Sequence, residues 1–201
     1  MKLRYSPTSP YVRKVTITAI EKGLDNRIER LPTNVWEPTT DISRDNPLGK
    51  VPALLTDDVG VLYDSPVICE YLDSLTPTPR LFPAAGPLRW QALRQQALAD
   101  GLLDAGVACL LEGRRPDGER STGWIARQST AARRALDAME ADAPSLAQGV
   151  TIGHIATACA LGWLLFRQPI EDWRSGRRRL TAWYEEFLAR PSMQETLPHE
   201  P

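Results

Sequence analysis

Three short stretches of this chain leave hydrogen-bonding groups where a ligand can use them. The first is Ser9-Pro10, set between a strand-like run and a helix-like run. A serine oxygen at a helix start caps free N–H groups of the first turn, and its O–H can donate to an anion drawn to the positive helix end. Thr8, one residue earlier, offers the same kind of hydroxyl. The second stretch is Lys50-Val51-Pro52. A residue before proline is held extended, and with a cis Val51-Pro52 bond Val51 presents both its N–H and its C=O to a ligand. Most X–Pro bonds are trans, so this motif alone favours an ordinary strand start. The third is Asp64-Ser65, ahead of Pro66, where a serine at a second helix N-terminus can hold a carboxylate. Taken singly, each is satisfied by plain capping or strand initiation. Together they describe two helix N-termini and one extended backbone edge, suited to an elongated, acidic, peptide-like ligand.

The elements that must position these groups follow from periodicity and turn chemistry. Lys2–Ser6 reads as a strand, and Pro7-Thr8-Ser9-Pro10 as a turn. Tyr11, Val15, Thr18 and Ala19 recur at helical spacing until Gly23 stops them. Residues 27–31 give a second strand, 34–46 are polar and irregular, and 51–56 and 61–63 form a hairpin around Asp57-Asp58-Val59-Gly60. Ser65-Pro66 opens a helix whose apolar face is Val67, Ile68, Tyr71 and Leu72. The order strand, helix, strand, strand, strand, helix predicts a small mixed α/β sheet. The Pro-rich run 76–83 is a linker by composition. Beyond it only helical patterns occur, at 87–112, 124–141 and 180–188, with a buried stripe through Ile152, Ile155, Ala156, Cys159, Ala160 and Trp163. The expected organisation is an α/β domain over 1–76 and an all-α domain over 85–201.

Composition narrows the possible functions. Apolar residues make up 42% of the 201, enough for a packed core, and the net charge of −1 offers no global field for nucleic acid or anionic membrane. The run Arg177-Arg178-Arg179 reads as a solvated face or an ion-pair cluster. Three scattered cysteines, Cys69, Cys109 and Cys159, make a poor disulfide framework and point to a reducing, cytoplasmic setting. Neither a signal peptide nor a membrane span is expected from the pattern. Three cysteines and two histidines give no metal set, and no phosphate loop or Gly-x-Ser-x-Gly elbow occurs.

The sequence resembles a cytosolic glutathione transferase over essentially its whole length. The residues that carry the resemblance are Ser6-Pro7-Thr8-Ser9-Pro10-Tyr11-Val12-Arg13-Lys14-Val15, then Asn46-Pro47-Leu48-Gly49-Lys50-Val51-Pro52-Ala53-Leu54, then Asp64-Ser65-Pro66-Val67-Ile68-Cys69-Glu70-Tyr71-Leu72. It is most similar to a bacterial, serine-type subgroup with Ser-Pro-Thr-Ser-Pro at its front. The resemblance implies a thioredoxin-like N-terminal domain that binds glutathione as co-substrate, followed by an all-helical C-terminal domain lining the site of a small-molecule electrophile. It implies that Ser9 is the catalytic residue, that Pro52 is a cis-proline, and that Lys50, Val51, Pro52, Asp64 and Ser65 bind glutathione. It also implies a homodimer and a role in detoxification. Trp36, Arg114, Arg115 and Trp163 are candidates for the electrophile region, although core packing suits the tryptophans better and surface charge suits the arginines. One position departs from the family pattern: the buried helix of the second domain opens Thr151-Ile152-Gly153-His154, where an aspartate usually completes the capping box. A histidine is expected to close that box poorly. His199 lies in a Pro-rich tail expected to be loose.

On this reading Ser9 donates to the glutathione thiolate, which attacks a soft electrophile or reduces a peroxide. A thiol–disulfide oxidoreductase would need a cysteine where Ser9 stands. A non-catalytic glutathione- or ligand-binding module with the same fold is the alternative from another class, and a domain kept for protein assembly is a third.

Overall fold

The computed structural model describes residues 1–147 and 149–200. Among these residues, four strands and seven α-helices are ordered β1 (Lys2–Tyr5), α1 (Pro10–Glu21), β2 (Glu29–Pro32), β3 (Ala53–Leu55), β4 (Val61–Leu62), α2 (Ser65–Ser74), α3 (Pro87–Gly113), α4 (Thr122–Asp142), α5 (Ile152–Arg167), α6 (Arg178–Leu188) and α7 (Pro191–Gln194). The chain divides into two units, Met1–Phe82 together with the segment from Pro191 onward, and Pro83–Arg190.

The first unit is a thioredoxin-like sheet in the order β2-β1-β3-β4. β1 runs parallel to β2, with Leu3 opposite Arg30, and antiparallel to β3, with Leu3 opposite Leu54. β4 pairs antiparallel with β3, Leu54 facing Leu62. The crossover β1-α1-β2 follows because parallel neighbours cannot be joined by a tight turn. β3 begins at Ala53, later than the sequence pattern places it, because Pro52 has no N–H to add to the ladder. Leu3, Val12, Val15, Ile17, Leu54, Ile68 and Leu72 form the core against the sheet.

Residues from Pro191 onward, expected in the second domain, group instead with the first unit. The reason is a set of bonds to α1. Arg13 donates to the Met193 carbonyl at 3.0 Å and to Thr196 at 3.3 Å, and Ser192 donates to Glu21. Ser192 and Met193 are buried, so the tail is held as far as Thr196. The linker also belongs to this unit through Lys22, which donates to the carbonyls of Thr76 and Pro79.

The second unit is all helical. Every residue of α5 from Ile152 to Leu164 is buried, which is why that stretch reads as apolar nearly all round. Close approach to α3 is made possible by Gly106, where an added Cβ would lie 2.9 Å from the Trp163 ring, and by Gly153, where it would lie 3.0 Å from the Ala92 carbonyl oxygen. The arginine run is an ion-pair cluster. Arg177 reaches Asp137 at 2.7 Å, and Arg179 reaches Glu140 at 3.2 Å.

The expectation for His154 is corrected. Its Nδ1 accepts from the Thr151 N–H at 3.2 Å and sits 2.8 Å from Thr151 Oγ1. A neutral imidazole with its proton on Nε2 thus does the carboxylate's work, and burial holds the ring's pKa below its ordinary value. No helix among the described residues is long and apolar enough to cross a membrane.

Candidate functional site

The turn after β1 is built by Ser6 and Ser9. The Ser9 N–H closes it on the Ser6 carbonyl at 3.2 Å. Ser9 then sits in an extended conformation (φ −85°, ψ 121°) as N-cap of α1, and its Oγ accepts the Val12 N–H at 3.3 Å. That bond uses a lone pair and leaves the O–H to donate outward. No acidic residue occupies the first turn of α1, so nothing in that turn neutralises the partial positive charge at the Ser9 end. Thr8 lies beside Ser6, hydroxyl to hydroxyl at 3.3 Å, so one of the two donates to the other within the turn. Only a narrow dent of about 10 Å³ lies here, lined by Ser9 together with Tyr5, Ser6, Arg13, Arg30 and Thr196.

The Val51-Pro52 peptide bond is cis. Pro52 is buried while Val51 is half-buried and Lys50 exposed. The Val51 N–H and C=O take part in no backbone hydrogen bond among the described residues. An unpaired N–H and C=O side by side are the edge that a peptide ligand can add to.

Asp64 is the N-cap of α2, and its carbonyl accepts the Ile68 N–H at 3.0 Å. The Tyr63–Asp64 bond is also cis. The Asp64 side chain is exposed and makes no capping bond of its own. Ser65 differs: the residue is 2% exposed and stands where the first N–H groups of α2 are free. A hydroxyl in that position is suited to a carboxylate.

Strand register brings the three pieces to one edge. Arg4 faces Ala53, so the residues just before Ala53 lie beside the turn that follows Tyr5. Leu54 faces Leu62, so continuing the ladder past Leu62 sets Asp64 beside Pro52. Neighbouring strands are about 4.8 Å apart, which spreads Ser9, Val51 and Ser65 over the length of a short peptide.

The loop leading to Lys50 is anchored by residues that motif reading missed. Arg4 in β1 donates to both carboxylate oxygens of Asp41, at 2.9 and 3.1 Å, and through Nε to Asp45 at 2.6 Å. The hydrogen bond from Arg4 holds the Asp41 carboxyl below its ordinary pKa, and Asp41 in turn raises that of Arg4. Their only trace in the sequence is an arginine in a strand and two aspartates in a polar loop, 37 and 41 residues away.

The candidates for a second-substrate region fare differently. Trp36 is 70% exposed, and Trp163 is 4% exposed and packed on Gly106, an ordinary core residue. Arg114 is exposed, and Arg115 pairs with Glu119 at 3.4 Å.

Comparison with known proteins bears on the fold and the family. Residues 8–75 match the model of the glutathione S-transferase N-terminal domain, and residues 122–186 that of the C-terminal domain. The chain is 37% identical to the uncharacterized GST-like protein YibF of Escherichia coli K12, over 98% of each chain. A glutathione transferase family member from Pseudomonas fluorescens Pf-5, solved with bound glutathione, superposes with a TM-score of 0.94 at 41% identity, over 98% of each chain. A structure of a family member from the same organism with bound S-(propanoic acid)-glutathione gives a TM-score of 0.91 at 41% identity, covering 99% of this chain and 100% of that one. The chain belongs to the glutathione S-transferase family.

Proposed function

We propose that this protein binds glutathione along the Ser9–Val51–Ser65 edge and activates its thiolate for attack on a hydrophobic electrophile. The observation that carries the proposal is the set of groups on that edge: the outward O–H of Ser9, the backbone N–H and C=O of Val51 outside any backbone hydrogen bond among the described residues, and the hydroxyl of Ser65 at the α2 N-terminus. Ser65 and the α2 N-terminus suit the γ-glutamyl carboxylate, with Asp64 beside them for the ammonium group. Val51 suits the cysteinyl backbone, Pro52 shapes that edge, and Lys50 supplies a nearby positive charge.

The chemistry asks for a thiolate at neutral pH. A free thiol has a pKa of about 8.5, and lowering it by about two units requires roughly 2.7 kcal/mol. A hydroxyl donating to the sulfur anion supplies about 1.5–3 kcal/mol, and the helix end up to about 1 kcal/mol. In conjugation a C–S bond forms as the leaving group departs with its electron pair. In peroxide reduction the thiolate attacks oxygen, an alcohol leaves, and a second glutathione converts the sulfenic acid to disulfide and water.

A two-fold homodimer in a reducing cytoplasm, acting in detoxification, belongs to the same proposal. Exposed Leu88 and Trp90 are apolar surface suited to a subunit interface, and three buried cysteines, none of them in a disulfide, suit a reducing setting. Mass in solution tests the dimer. Retention on immobilised glutathione, followed by conjugation of a model electrophile by wild type and Ser9→Ala, tests the activity. Retention with no saturable, Ser9-dependent conjugation would reduce the protein to a binding module, and loss of retention would defeat the whole reading.

A further inference from the structure

Asn46 is 1% exposed in a loop whose neighbours Pro47, Leu48 and Lys50 are exposed. All four of its polar groups are engaged locally. Nδ2 donates to the Lys50 carbonyl at 2.8 Å, and Oδ1 accepts the Leu48 N–H at 3.0 Å. Its backbone carbonyl accepts the Gly49 N–H at 2.8 Å, and its N–H donates to Ile42 at 2.8 Å. These partners fix the amide orientation, because the reverse would set N–H against N–H and oxygen against oxygen. Gly49, at φ +64°, lets the chain turn back tightly enough for Lys50 to be reached.

The Lys50 carbonyl and the Val51 N–H belong to one planar, trans peptide unit and point in opposite directions. Whatever grips that carbonyl on the loop side therefore aims the N–H away from the loop. We propose that Asn46 is a positioning residue for the peptide ligand: its amide holds the Lys50–Val51 peptide plane so that the Val51 N–H faces outward to bind. This rests on the reading of Val51 as a glutathione contact. The other end of the loop is already anchored, Asp45 accepting from Arg4 of β1, so the peptide plane is the part left for Asn46 to set.

The test measures glutathione and S-hexylglutathione affinity by calorimetry for wild type, Asn46→Ala and the isosteric Asn46→Asp from pH 5 to 8. Circular dichroism and thermal midpoints check the fold. Loss of one such hydrogen bond is expected to weaken glutathione binding about five- to tenfold in both variants at neutral pH, raising KM while kcat at saturating glutathione stays within about twofold. Asn46→Asp carries its own signature. Its carboxylate repels the Lys50 carbonyl, but once protonated it donates to it, so its deficit relative to wild type should shrink as the pH falls. Asn46→Ala should show no such recovery. The nearby charged groups Arg4, Asp41, Arg44, Asp45 and Lys50 are common to all three proteins, so Asn46→Ala controls for their own effect on glutathione binding, while in Asn46→Asp they also set the pH at which the new carboxyl titrates. Wild-type affinity in a folded Asn46→Asp at neutral pH, or a deficit that ignores pH, would overturn the inference even if Asn46→Ala fails to fold. Failure of the wild type itself to bind glutathione would instead overturn the reading of the site.

Discussion

Lys22 and Asp73 form an ion pair inside the first unit, Nζ to Oδ1 at 2.9 Å, with 0% and 9% of their side chains exposed. The ammonium also binds the Thr76 and Pro79 carbonyls, and the carboxylate accepts the N–H groups of Leu81 and Phe82 at 2.8 and 3.1 Å. One buried pair thus fastens α1, α2 and the linker together. Removing one partner strands the other charge, so Asp73→Ala or Lys22→Met should cost about 3–5 kcal/mol. The double variant Lys22→Met/Asp73→Leu should lose less than the sum of the two. Denaturant midpoints of the three proteins check this.

Ser9 and Ser65 should separate chemistry from binding. Ser9→Ala is expected to raise the pKa of the bound thiol by about one to two units, the weight of one donor to an anion. It should lower kcat about tenfold or more and also cost about 1 kcal/mol of stability as a lost cap. Ser65→Ala is expected to weaken glutathione binding about five- to tenfold with an unchanged thiol pKa. Thiolate absorbance against pH, together with KM and kcat, distinguishes them.

His154 makes stability depend on pH in a defined direction. Burial is the first cause of its lowered pKa, and the charge of Arg190 adds to it. The Leu146 carbonyl acts the other way, but it is bonded to Trp183 Nε1 at 2.9 Å, while His154 Nε2 has no hydrogen-bond partner among the described residues, so burial dominates. The unfolded chain takes the proton first. Stability is therefore full above about pH 6.5 and is lost as pH falls from there through the lowered folded-state value. His154→Gln keeps an acceptor for the Thr151 N–H and should flatten this limb. Denaturant midpoints between pH 5 and 8 test it.

Gly153 and Gly101 should respond oppositely to alanine. At Gly153 a Cβ would lie 2.8 Å from the Gln95 Cβ and 3.0 Å from the Ala92 carbonyl, so Gly153→Ala should destabilise by about 1–3 kcal/mol. At Gly101, inside α3, an added Cβ would meet nothing within 4 Å, and Gly101→Ala should stabilise by about 0.5–1 kcal/mol. Thermal midpoints of the two variants give the sign directly.

The elements and the site motifs were legible because their signals are local. Ser9-Pro10 and Ser65-Pro66 mark helix starts through bonds and torsions spanning at most four residues, and Pro52 delimits β3 by its missing N–H. Helical spacing exposed α5 for the same reason, since its period is written in consecutive residues.

What the tertiary structure alone decided are relations between distant residues. Arg13 captures Met193 across 180 positions, and Arg4 reaches Asp45 across 41. Trp163 is committed to the core by a glycine on another helix, and Val51 is left without a ladder partner only because the strands register as they do. The amino-acid order named the groups proposed to hold a peptide thiol. Their alignment on one edge came from strand pairing and side-chain packing, which depend on which distant segments are brought together.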